Sequence, residues 1–236
     1  MKLIFMNLLI ILQLLFGQFP SYDISKGNVS NFSSSVKPLI RSTSFSLGYH
    51  QLVNNSLKER VSLSIILPLG YDLTNKSFIE YSIVGLPLLH SSLLISNNLR
   101  LNGKIGGFTS HNDVINYYSY GFSLGLVKED PSLLIADLSI GKMDGPKYFN
   151  CRIFDFSIIR SYLSNLFPFY IGVGNNQFNS RIFYSGNAGV PKNISDSSNY
   201  IIIGKIFPLL KWQVSPQIRL NIKFSQVSIS FQKKFE

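Results

Sequence analysis

The stretch Gln217-Ile218-Arg219-Leu220-Asn221-Ile222-Lys223-Phe224-Ser225, running on into Gln226-Val227-Ser228-Ile229-Ser230-Phe231-Gln232-Lys233-Lys234-Phe235, decides how the chain is read. Ile218, Leu220, Ile222 and Phe224 alternate with Arg219, Asn221, Lys223 and Ser225. Successive side chains of a strand point to opposite faces, so period 2 marks a sheet with one greasy and one wet side. After Ser225 the phase slips by one residue, and Val227, Ile229, Phe231 and Phe235 carry the apolar face onward. The slip is read as a β-bulge within one overlong strand, since no cluster of turn residues is evident there.

The rest of the chain repeats this pattern. Of its 236 residues 45% are hydrophobic and only 14% charged, against about 25% charged in soluble domains. Much of the surface therefore need not face water. Beyond the N-terminus the apolar residues never gather into a helical membrane span; they are spread through short alternating segments, as in a barrel wall. The clearest is residues 118–126, with Tyr118, Tyr120, Phe122, Leu124 and Leu126 opposite Ser119, Gly121, Ser123 and Gly125. Leu134, Ala136, Leu138 and Ile140 follow after the turn Lys128-Glu129-Asp130-Pro131, predicting a hairpin. Similar strands are expected around 43–49, 61–69, 79–83, 99–107, 152–160, 167–174 and 200–212, the last interrupted at Pro208. Residues 86–95 fit a strand or a helical turn equally. The fold class is all-β: an antiparallel up-and-down transmembrane β-barrel of about ten strands, with eight to twelve allowed at roughly 9–11 residues per crossing.

Three segments stand apart from the wall. Lys2, the apolar run 8–16 and Gly17 predict a secretory signal peptide over residues 1–18. Residues 19–40, rich in Ser and Asn, read as a flexible extension, and the barrel is expected over 41–236. The polar stretch 175–199 reads as a long external loop.

The export leader, the ten-residue alternation and the amphipathic last strand with its terminal aromatic together resemble bacterial outer-membrane β-barrel proteins, over residues 41–235. The resemblance implies a bacterial outer-membrane location, contact with outer-membrane lipid, and recognition of Val227, Ile229, Phe231 and Phe235 by the barrel-insertion machinery. The pattern departs from that class in Lys233, at an otherwise apolar position, and in Glu236 after the aromatic.

The expected function is a non-enzymatic small pore, or a structural or adaptor barrel with an envelope protein partner. The first alternative is a secreted soluble barrel holding a hydrophobic ligand, which would turn Tyr118, Tyr120, Phe122, Leu124 and Leu126 inward. The second is a barrel-embedded hydrolase using His50, His90 or His111, with Asp113 beside the last. The single Cys151 excludes an intrachain disulfide, and no cofactor or metal motif is present. The formal charge of +10 is scattered rather than striped, which argues against a nucleic-acid partner. Glu80, Asp137 and Asp155, against Lys104, Arg219 and Lys223, are expected to line the lumen, as a paired network or a selectivity ring. Tyr117, Tyr148, Phe149, Phe167, Tyr200, Trp212 and Phe231 are expected in the interfacial girdles.

Overall fold

The computed structural model describes residues 24, 32–49, 60–73, 83–85, 87–110, 113–162, 168–183, 190–209 and 212–235. A helix, α1 (Phe32–Leu47), precedes β1 (Val61–Asp72), β2 (Ile83–Gly85), β3 (Leu88–Ser96), β4 (Leu99–Ser110), β5 (Asp113–Gly125) and β6 (Leu134–Asp144). There follow β7 (Phe149–Tyr162), β8 (Phe169–Ile182), β9 (Asn193–Lys205), β10 (Phe207–Leu209), β11 (Trp212–Leu220) and β12 (Phe224–Phe235). Every pairing is antiparallel. The ring runs β11-β12-β1-β3-β4-β5-β6-β7-β8-β9 and closes where β9 meets β11 again, making ten long strands; β2 and β10 are three-residue additions. Closure joins the two ends of the sheet over Gln217–Leu220 and Ile201–Gly204.

The total of ten is met by a different set of strands. Residues 43–49, expected as a strand, belong to α1 and its end, and the helix also takes the second half of the 19–40 extension. The stretch 217–235 is a hairpin rather than one bulged strand, and the phase slip is its turn. Asn221 Oδ1 accepts the Lys223 N–H at 2.8 Å, and Asn221 N–H donates to the Phe224 carbonyl at 2.8 Å. One asparagine amide thus supplies the turn chemistry that a Gly or Pro would have advertised. Phe224 consequently points inward, fully buried, rather than sharing a face with Leu220. Residues 88–96 are a strand. The expected long loop 175–199 lies mostly in β8 and β9, which pair from Phe169↔Lys205 to Arg181↔Asn193. Asn179, Asn193, Ser195, Ser197 and Asn199 are the outward residues of the wall here, while Asn176, Ser180 and Ser198 face in. Pro208 sits in the short strand β10, where a missing N–H is tolerated. The leader 1–18 and the residues Glu80, His50 and His111 lie outside the described residues.

Burial decides which face is greasy. Tyr118, Tyr120 and Phe122 are 45%, 60% and 40% exposed, while Ser119 between them is buried. Leu63, Ile65, Leu101, Ile105, Phe154, Phe156, Ile158, Ile171, Ile201 and Val227 also face outward, while Ser62, Ser64, Ser92, Ser139, Ser157, Gln217, Gln226, Ser228 and Ser230 face in. A soluble barrel would have the reverse arrangement, so the alternative with an apolar cavity does not describe this wall.

Polarity inverts along the barrel axis. On β7 the inward residues run Phe149, Cys151, Ile153 and then Asp155, Ser157; the outward ones run Asn150, Arg152 and then Phe154, Phe156, Ile158. On β9 the outward residues run Asn193, Ser195, Ser197, Asn199 and then Ile201, Ile203. The part away from the C-terminus is therefore built like a water-soluble domain. Its core gathers Phe32, Val36, Leu39 and Ile40 of α1 against Ile115, Tyr117, Met143, Phe149, Cys151, Phe178, Ile182 and Ile194. The membrane part begins where the outer face turns apolar.

Helix α1 obeys both environments. Phe32, Val36, Leu39, Ile40, Thr43 and Leu47 recur at three- and four-residue spacing, the stripe of a helix. Ser42, Thr43, Ser44 and Ser46 bring the hydroxyls to the C-terminal half, which enters the polar lumen. Ser42 Oγ and Thr43 Oγ1 donate back to the carbonyls of Pro38 and Leu39 at 2.9 and 3.0 Å, which satisfies these buried hydroxyls within the helix. At 1.5 Å per residue the helix is about 24 Å long, enough to span much of the interior.

Candidate functional site

The lumen is occupied by the C-terminal half of α1, and a cluster on four wall strands holds it. β7 supplies Asp155, β8 Asn176, β9 Tyr200 and β11 Arg219, all inward by the alternation of their strands. Asp155 and Arg219 are both fully buried. Arg219 Nη2 lies 3.2 and 3.0 Å from the two Asp155 carboxylate oxygens. Tyr200 OH donates to Asp155 Oδ1 at 2.5 Å, and Asn176 Nδ2 donates to Oδ2 at 2.6 Å. The guanidinium lies 3.9 Å from the Tyr200 ring centroid and 5.2 Å from that of Phe45, within cation–π range. A buried charge pair is tolerable only when the remaining lone pairs and protons are also engaged. Here two neutral donors engage the carboxylate, and the Phe45 carbonyl and two rings engage the guanidinium, whose Nε has no hydrogen-bond partner among the described residues.

The cluster grips the helix by its backbone. Arg219 Nη1 donates to the Phe45 carbonyl at 2.7 Å; Lys104 Nζ donates to the Leu47 carbonyl at 3.0 Å and to that of Tyr49. The last carbonyls of a helix lack intrahelical donors and carry its negative pole, so two cations there satisfy both needs. Asn176 Nδ2 also reaches the Ser44 carbonyl at 3.3 Å, and the Ser44 hydroxyl donates to Asn176 Oδ1. Gln226 Nε2 donates to Ser46 Oγ at 3.2 Å. Phe45 packs on Tyr200 and Phe224 with centroids 5.4 and 5.1 Å apart. Gly48 is needed because a Cβ there would fall on the Asp155 carboxylate. Nearer the other rim, Arg41 and Lys37 meet Asp196 at 2.5 and 3.5 Å.

Of the charges expected in the lumen, Lys104, Asp137, Asp155 and Arg219 are buried there. Asp137 lies between Ser123 and Ser157 in register, on the same inner face. Lys223 is not lumenal: the hairpin turn carries it to the exposed rim. Tyr117, Phe149 and Tyr200 are also misassigned from sequence, being buried inside rather than set in a girdle. Trp212, expected in a girdle, does lie exposed at the C-terminal rim, together with Tyr162 stacked on Phe169 at 4.7 Å, Phe207 and Phe235. Arg160, Lys205 and Lys233 lie over these rings, which gives Lys233 an interfacial role. Phe167 lies outside the described residues. Val227, Ile229 and Phe235 face outward on β12, and Phe231 sits half-buried opposite Ile65 of β1.

Sequence reading missed Ser44, Phe45, Asn176, Tyr200, Arg41 and Asp196. The available signal was the helical spacing of Phe32, Val36, Ile40 and Leu47, which the shorter alternation 43–49 obscured. Of the three histidines, His90 is buried on β3, its Nδ1 2.9 Å from Ser64 Oγ on β1. Among the described residues no group of His, Cys, Asp and Glu is arranged to hold a metal ion.

A closed ten-strand wall, apolar outside and polar within over the membrane section, defines a transmembrane β-barrel, here with its own helix in the lumen. No protein-family model matches the chain, and no curated protein matches it. Similar solved structures include the translocator domain of autotransporter NalP from Neisseria meningitidis, at 9% identity and TM-score 0.47, covering 88% of this chain and 97% of that one. The COG4313 outer membrane channel from Pseudomonas putida F1 is similar at 8% identity and TM-score 0.42, covering 79% and 100%. A bacterial polysaccharide outer membrane secretin is similar at 7% identity and TM-score 0.40, covering 77% and 100%.

Proposed function

We propose that the chain is a bacterial outer-membrane barrel stoppered by its own helix, a non-enzymatic structural or adaptor barrel rather than a standing pore. The observation that carries this reading is the grip on α1: Arg219 and Lys104 hold its last carbonyls, and Asp155 and Asn176 hold Arg219 and Ser44. A segment tied by buried charges at one end and an apolar core at the other blocks solute passage while both hold. The lack of chemistry is supported by the placement of the Ser64–His90 pair, whose residues are buried in the interior rather than set on an open rim. Export by the leader 1–18 and reading of β12 by the barrel-insertion machinery belong to the same proposal. Planar-bilayer recording tests it. The full-length protein should give no steady conductance, and Asp155→Ala with Arg219→Ala together should give frequent openings. Steady channels from the unaltered protein would overturn the stoppered reading in favour of a small pore.

A further inference from the structure

The wall has a step beside its closing seam. All of β9 pairs with β8, but only Ile201–Gly204 pairs with β11, whose hairpin to β12 ends at Asn221-Ile222-Lys223. Residues 193–200 of β9 therefore run on beyond the β11 ladder, about 26 Å of strand at roughly 3.3 Å per residue, with Asn199 beside the hairpin tip. Asn221 Nδ2 donates to the Asn199 carbonyl and caps the ladder where it stops. A groove of about 910 Å³ fills the step, on the outer side of the barrel.

Its lining is ordered by the register. One row across the sheet, Ile158, Val173 and Ile201, is apolar; the next row toward the rim is Phe156, Asn175 and Asn199, with Lys223 at the hairpin tip. The change falls at the level where the outer face of β9 passes from Ile201 to Asn199, the apolar–polar boundary of the wall. Ile222, at the hairpin tip, is 95% exposed and lies against the groove. Among the described lining residues Lys223 is the one cation and none is a carboxylate. An apolar trough that ends in amides and a single cation at headgroup height is complementary to an anionic amphiphile.

We propose that this groove is a specific site for one lipid, whose acyl chain lies along Ile158, Val173 and Ile201 and whose phosphate meets Lys223 and the amide of Asn199. It depends on the membrane placement of the wall and is independent of whether the lumen is stoppered. A lipid seated there would cover Ile222 and fill the step in the wall where, among the described residues, no strand continues the ladder.

The test titrates the purified full-length protein, in a neutral alkyl-glycoside detergent, with a short-chain phosphatidylglycerol, followed by native mass spectrometry. Short-chain phosphatidylcholine and inorganic phosphate are titrated in parallel. One saturable phosphatidylglycerol is expected, and Lys223→Gln should weaken it about fivefold, the contribution of one cation at an anionic lipid surface. Ile222→Asn should also weaken it, while Lys128→Gln in the β5–β6 connection should leave it unchanged. Equal binding by the Lys223→Gln and unaltered proteins would overturn the site. So would binding of inorganic phosphate as tight as that of the lipid, which would show that the headgroup chemistry alone is read. Unsaturable uptake would reduce the groove to ordinary lipid contact and overturn it as well. Conductance is not among these readouts, so failure here leaves the stoppered reading standing.

Discussion

Asp155→Ala removes the centre of the lumenal cluster and lets its contribution be weighed. Asp155 receives Arg219 at 3.0 and 3.2 Å, Tyr200 at 2.5 Å and Asn176 at 2.6 Å, all buried. Taking one partner from a buried ion pair costs about 3–5 kcal/mol, because the survivor keeps its desolvation penalty. In this variant the survivor is Arg219, left with the Phe45 carbonyl and two rings; Tyr200 OH loses its acceptor as well. Asp155→Asn, which keeps the shape and sheds the charge, should cost less than Asp155→Ala. Arg219→Met should be costly in its turn, leaving Asp155 with only neutral donors. The double variant should cost less than the sum, with a coupling of about 0.5–3 kcal/mol. Urea unfolding from lipid vesicles, followed by the single tryptophan, Trp212 on the wall, reads the global term. Amide exchange over residues 32–47 reads release of the helix and should rise first. Strictly additive singles, or an Asp155→Ala cost below about 1 kcal/mol, would refute the reasoning, since a coupled buried pair requires otherwise.

Two further substitutions probe how the helix and its receptor fit. Gly174 lies opposite Tyr200 in register, with the ring across it, so Gly174→Val should displace Tyr200 from Asp155 and cost about 1–3 kcal/mol by overpacking. Gly103→Ala, whose added carbon would meet nothing nearer than Ser91 Oγ at 3.4 Å, should leave the unfolding midpoint close to that of the parent; matching midpoints for both variants would contradict the fit. Lys104→Met takes the donor from the Leu47 and Tyr49 carbonyls, a loss of about 1.5–3 kcal/mol for charged hydrogen bonds. Exchange at the helix end should quicken while the wall strands stay protected, and uniform loss across both would instead show that Lys104 supports the wall.

Much of this molecule is legible in one dimension. The alternation of Tyr118 to Leu126, and of Leu134 to Ile140, prescribes strands with one greasy face, because a pleated strand can send its side chains only two ways. The low charge and the shortness of each apolar run place that face in lipid, and length bounds the crossings at about eight to twelve. What alternation cannot carry is any feature that depends on what lies across the barrel. Residues 43–49 alternate well enough for a strand, yet Phe45 needs Tyr200 and Phe224 as neighbours and Ser44 needs Asn176, and only a helix in the lumen gives them. The run Asn193 to Asn199 reads as a loop because its outward residues are polar. Its strand pairing is set by β8, and its polarity by water above the membrane. Asp155 and Arg219 are 64 positions apart, and their pairing is a consequence of ring closure, which brings β7 and β11 to one interior. Local periodicity sets each strand and its two faces, since it depends only on backbone geometry. Which inward groups meet, and that a helix is among them, is decided by the three-dimensional interior, where every buried charge must find its partner.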